Sequence, residues 1–139
     1  MSGEQSFFAR FFAALDGEDP ESAMALVSDE LEFAILWAPD DGRHSRQFVG
    51  GPDELRRFTA AGDMQGWAHD VLHFSSDGTT EIALGETRWG DGRHIGTFVC
   101  AAEFDDRGLM RRYLVGRSPA LRFAGLATDM TSPQSSIIP

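Results

Sequence analysis

The side chains best suited to chemistry in this 139-residue chain lie mostly in its second half. Glu86 and Arg88 stand at i, i+2, a spacing that puts both on one face of a strand together with Ile82 and Leu84. A carboxylate beside a guanidinium inside a cavity can position water or polarise a substrate. The same pair on an outer sheet face is a surface ion pair worth ~0–1 kcal/mol. His69 and His73 occupy another extended stretch. An imidazole, with its unperturbed pKa of about 6.5, suits general acid/base work near neutrality, but either histidine also fits a dimer-facing surface. At i, i+4 on a strand the two rings lie roughly 13 Å apart by strand rise, too far to share a metal ion, and no metal or other cofactor is expected. Tyr113, the single tyrosine, can donate its hydroxyl to a carbonyl or oxyanion, or simply pack as an amphipathic wall. Cys100, the single cysteine, has Phe98 and Ala102 as same-face neighbours and no base. It reads as a buried, inert thiol.

These groups need elements to hold them. Phe7, Phe8, Phe11, Phe12 and Leu15 recur at helical spacing and predict a first helix over Ser6–Leu15 with an aromatic buried stripe. Asp19-Pro20-Glu21 resembles a second helix start that turns Met24, Leu26 and Val27 inward. The run Leu31–Trp37 reads as a strand ending at Pro39, and Asp40–Arg46 as a polar loop. Gln47–Val49 forms a short strand, and Pro52-Asp53 opens a third helix with Leu55 and Phe58 inward. Four strands follow: Trp67–Phe74, Thr80–Trp89, His94–Phe104 and Leu109–Gly116. Turns as short as Asp77-Gly78 and Gly90-Asp91-Gly92 favour antiparallel hairpins. Helices on one face of an antiparallel sheet make an α+β domain. Residues 1–124 are expected to form one domain and 125–139 a flexible tail.

Composition narrows the partners. Twelve basic residues, all arginine, face twenty-two acidic ones, for a net charge of −10. Residues 1–70 hold fourteen Asp/Glu against five Arg, and residues 71–139 eight against seven. Such a surface repels a phosphate backbone, so nucleic acid is not an expected partner. With no lysine, Schiff-base chemistry is excluded. No apolar run reaches the ~20 residues that span a bilayer, and Phe7 and Phe8 have no basic region before them. A cytoplasmic protein with no membrane partner is expected.

Three stretches carry a resemblance. Phe11–Asp19 continuing through Ala25–Phe33, Val49–Phe58 and Glu103–Tyr113 are similar, in order and spacing across residues 7–117, to the NTF2-like superfamily, in its SnoaL-like and ketosteroid-isomerase-like branch. The resemblance implies a cystatin-like cone: a strongly curved antiparallel sheet wrapped around three N-terminal helices, enclosing a cavity. It also implies a homodimer through the outer sheet face. The catalytic groups of the ketosteroid isomerases do not carry over. Ile35 and Leu36 stand where that family has its carboxylate base, Phe11 where it has its tyrosine, and Cys100 or Ala101 where it has its protonated acid. Cys100 likewise replaces the acid of the SnoaL-type cyclases. The resemblance and the strand alternation together predict a pocket lined by Phe11, Leu15, Trp37, Phe58, Ile82, Leu84, Phe98, Cys100, Phe104 and Val115. A hydrophobic small molecule bearing a carbonyl or hydroxyl would sit there, with Tyr113, His73, Glu86 and Arg88 as the acid/base and electrostatic groups of an isomerase, lyase or hydrolase. A non-catalytic ligand-binding or dimeric accessory domain is the alternative reading.

Overall fold

In the computed structural model, residues 5–37, 46–60, 66–119 and 121–123 are described. The loop expected at Asp40–Arg46, apart from Arg46, and the tail expected at 125–139 lie outside these residues. Helix α1 runs Phe7–Asp16. Ser6 caps it, its hydroxyl accepting from the Ala9 N–H at 3.1 Å. Phe7, Phe8, Phe11 and Phe12 form its buried stripe, as the spacing predicts. The segment Pro20–Leu26 departs from expectation. It is a 3-10 helix, Asp19 makes no side-chain cap bond, and Ala23 is its one fully buried residue. The first strand, β1, therefore begins earlier than predicted and spans Val27–Trp37. Strand β2 (Arg46–Gly50) and helix α2 (Pro52–Ala60) follow. The rest of the chain is β3 (Trp67–Ser76), β4 (Thr80–Trp89), β5 (His94–Phe104) and β6 (Met110–Ser118).

The six strands form one curved sheet in the order β2-β1-β6-β5-β4-β3. The four-strand meander is antiparallel, as the short turns dictate. Strand β1 joins it in parallel to β6, and β2 returns antiparallel along β1. Across the concave face run the rows Phe33–Tyr113–Ala102–Glu81 and Ile35–Val115–Cys100–Ala83–Phe74. A third row, Trp37–Arg117–Phe98–Gly85–Val71, lies nearer the end of the cone that receives the C-terminus of α1. Gly85 is required there. A Cβ on it would come within 2.2 Å of Phe98 Cζ and 2.5 Å of the Asp70 carbonyl oxygen, so the ring can cross β4 only over bare backbone.

Two predicted faces are corrected. On β4 the concave set is Glu81, Ala83, Gly85 and Thr87, so Ile82, Leu84, Glu86 and Arg88 point to the convex side, and Ile82 is 57% exposed. At Gly85 the Phe98 ring leaves no room for a side chain on the inner face, and Glu81 is there to bind the N-terminus of α1. On β3 the register shifts between Val71, opposite Gly85, and His73, opposite Leu84. This bulge reverses the alternation, so His69 and Val71 face inward, His73 faces outward and exposed, and Phe74 turns in.

Candidate functional site

Helix α1 is fixed at its N-terminus by a buried carboxylate. The backbone N–H groups of Phe7 and Phe8 donate to Glu81 at 2.9 and 3.1 Å, and the Ser6 hydroxyl donates at 2.6 Å. A negative charge at this end of the helix is also favoured by the helix dipole. Held there, α1 delivers its last residue, Asp16, to β3. The Asp16 carboxylate accepts the His69 backbone N–H at 2.7 Å and approaches His69 Nδ1 at 2.8 Å. Because a carboxylate only accepts, Nδ1 carries the proton, and in the neutral imidazole Nε2 is then the acceptor. The His69 side chain is 2% exposed and stacks on Phe12 with ring centroids 4.6 Å apart.

His69 Nε2 meets Arg117 Nη2 at 3.4 Å, a long hydrogen bond donated by the guanidinium. Arg117 reaches this point by laying its stem across Gly96, where a Cβ would come within 2.8 Å of Arg117 Cγ. Its guanidinium packs over Trp37 and Trp67, 4.9 and 5.2 Å from their ring centroids. Burial draws its pKa below the ordinary guanidinium value, and Asp16 is among the groups that oppose the shift. Tyr113 lies deeper, against Phe8 and Phe11. Burial pushes its hydroxyl up, and it stays a neutral O–H. Burial raises the Cys100 thiol in the same way, in line with an inert side chain.

The roomy hollow expected from the sequence is filled by the α1 phenylalanines. What remains is a cavity of about 20 Å³ whose walls include Phe11, Phe12, Leu15, Phe58, Thr59, His69, Tyr113, Val115 and Arg117, space for about one water. A larger groove of about 630 Å³ lies outside it, between Leu15–Glu21, Thr59–Ala60 and Gly66–Trp67. Leu15 and Thr59 line both spaces, which adjoin there. The groove matches the size of small-molecule sites.

The predicted site residues divide accordingly. Tyr113, Phe11, Leu15, Phe58 and Val115 line the small cavity, and Trp37 stacks on Trp67, which lines the outer groove. Phe98 and Cys100 are core side chains, and Phe104 packs on Phe7 at the far end of α1. His73, Glu86, Arg88, Ile82 and Leu84 are not brought to this place. On the convex side Arg88 pairs with Asp70 rather than Glu86. Glu86 is buried there beneath Arg122, whose Nε donates to it at 2.6 Å, with His94 Nε2 3.7 Å away. Sequence reasoning missed Asp16 and Arg117. Arg117 shares the alternation of Tyr113 and Val115, so the signal for it existed. Asp16 gave none, because an acidic helix end looks like any solvated turn.

No family model and no curated protein sequence matches the chain. Solved structures do. A protein assigned as an isomerase of the SnoaL-like family from Agrobacterium tumefaciens superposes with a TM-score of 0.61 at 10% identity, covering 79% of this chain and 93% of that one. A protein assigned as a ketosteroid isomerase from Kribbella flavida gives 0.59 at 18% identity, covering 94% and 87%. SalBIII, an epoxide hydrolase/cyclase-like enzyme of pyran ring formation in the polyether salinomycin, gives 0.58 at 13% identity, covering 80% and 87%.

Proposed function

The chain has the NTF2-like fold, and on that frame we propose that it is a small-molecule enzyme in which His69, oriented by Asp16, moves a proton on a hydrophobic carbonyl or hydroxyl compound. The observation that carries this reading is the Asp16–His69 pair. One carboxylate fixes His69 at both its backbone N–H and its ring Nδ1, and His69 lines the small cavity together with Arg117, whose long contact is the one on Nε2. A base whose second nitrogen is held by an acceptor has one tautomer and one direction of attack. The ligand's body occupies the groove, and its reacting end reaches His69 when the Leu15 and Thr59 side chains move aside, since the space beside His69 holds about one water. The reaction class is isomerase, lyase or hydrolase, and the neighbours named above support it only as fellow holders of the fold.

Exchange of α-hydrogens in D2O, followed by NMR over a panel of apolar ketones, tests the role whatever the eventual product. General acid/base catalysis contributes about 10²–10⁴-fold. Wild-type protein is therefore expected to exchange at least one ketone about 10²-fold faster than His69→Asn. Equal rates across the panel would remove His69 from this role.

The second reading, a binding domain without turnover, is favoured by the small volume beside His69. Native mass spectrometry of freshly purified protein distinguishes the two by a ligand retained without conversion. In either case we propose a homodimer through the convex sheet face. There Ile82, Val99 and Leu114 are more than half exposed, and Leu36 is 44% exposed. These residues form two adjoining apolar rows flanked by the Glu32–Arg112–Glu103 ion pairs. A patch that is apolar and bordered along one side by both charge signs suits a self-complementary contact.

A further inference from the structure

Arg117 is a largely buried cation, and among the described residues no carboxylate lies within ion-pair distance of it; Asp16, bound to the other side of His69, acts on it only at longer range. Among the described residues the one hydrogen bond of its guanidinium is the 3.4 Å approach to His69 Nε2, and its Nε–H is buried without a partner. Two further polar atoms nearby are buried and unpartnered, Trp67 Nε1 and Thr87 Oγ1. Trp67 stands two residues before His69 on the same strand face, and Thr87 pairs with His69 across β3 and β4. Each of the three can donate a hydrogen bond. Native interiors rarely leave such groups unpaired, and an unpaired buried charge is the costliest case. Among the described residues nothing accepts from these three donors, and the acceptor best matched to Arg117 is a negative one.

We infer that the ligand of this site carries a carboxylate, seated on the Nε–Nη2 edge of Arg117 next to His69. This rests on the proposed entry of the ligand from the groove past Leu15 and Thr59. The planar guanidinium fork matches two carboxylate oxygens in a way that an ammonium or a neutral amide does not. Trp37 and Trp67 hold the fork in place through its π face, leaving that edge for the ligand. The outer groove is acidic, with Asp16, Glu18, Asp19 and Glu21 in its wall. The exposed members of that set are screened within about 8 Å at physiological salt, whereas a buried guanidinium is not. The acidic wall therefore slows entry of an anion, and added salt is expected to speed its association.

The probe pair is 3-phenylpropionate and its uncharged isostere 3-phenylpropionamide, titrated into 15N-labelled wild-type protein near pH 7. The side-chain Nε–H of Arg117 and the indole N–H of Trp67 are the reporters. The expected result is a saturable shift of both signals with the acid and a response at least tenfold weaker with the amide. Arg117→Lys, which keeps the charge and removes the fork, is expected to weaken acid binding about tenfold or more. If that variant does not fold, the wild-type titrations decide alone. Equal binding of the amide, or a shift by the amide alone, overturns the carboxylate assignment and leaves proton transfer by His69 standing. No shift with either probe overturns both the assignment and the placement of the ligand.

Discussion

Glu81→Gln is expected to cost far more than an exposed Glu→Gln change, although it alters a single side-chain atom. The carboxylate holds three donors. One oxygen accepts the Phe7 N–H, and the other accepts both the Ser6 hydroxyl and the Phe8 N–H. Glu81 is 2% exposed, so no solvent replaces a lost acceptor. With glutamine the amide oxygen best takes the doubly used position, which sets the amide nitrogen against the Phe7 N–H, donor against donor. One unsatisfied buried donor costs about 1–3 kcal/mol, and two charge-assisted bonds weaken to neutral ones. The sum is about 3 kcal/mol, a large share of a typical domain stability of about 5–15 kcal/mol. That predicts a fall of about 10 °C in Tm and of about 1.5 M in the urea midpoint at a slope near 2 kcal/mol/M. Because α1 then carries Asp16 to β3, its N-terminal anchor also sets the Asp16–His69 contact. The Nδ1–H signal of His69 should broaden in the variant. A urea midpoint within about 0.3 M of wild type would refute this account of what holds α1 in place.

Gly85→Ala is expected to destabilise by about 1–3 kcal/mol, since its Cβ would collide with Phe98 and with the Asp70 carbonyl. An unchanged denaturation midpoint would show that the strand can simply move. His94 has its pKa lowered by burial first, then by Arg122, with Glu86 opposing. A histidine depressed in the folded state contributes stability above its unfolded pKa of about 6.5 and loses it as pH falls through the folded value. Wild type should therefore lose more stability than His94→Gln between about pH 7 and pH 5, measured by urea unfolding at each pH. Cys100 is expected to resist a thiol reagent in native buffer and to react fully in denaturant; rapid native labelling would contradict its burial.

Much of the scaffold was legible in the residues, and the site was not. The stripe Phe7, Phe8, Phe11, Phe12 has one helical solution, and the Asp-Gly turns leave adjacent strands little choice but hairpins. The bounds of β4 and β5 follow from those turns, and both match the predicted spans. Which face of a strand looks inward is a different kind of question. It depends on a bulge at Leu72 and on the bulk of Phe98 lying over Gly85, and neither is written in local alternation. Alternation alone therefore points to His73 where the bulge turns His69 inward, and pairs Glu86 with Arg88 where its partner is Arg122. The Asp16–His69 contact joins residues 53 positions apart, a distance over which periodicity carries no information.

The parallel pairing of β1 with β6 also has a consequence on the ribosome. Strand β1 is synthesised early, yet the neighbour on one of its edges is the last strand of the sheet. Only β2 can pair with β1 before then, while the hairpins from β3 onward can zip as they emerge. At about 5–20 residues per second, the phenylalanines of α1 wait several seconds for the surface that covers them. During that interval the α1 segment is the one that a chaperone would hold.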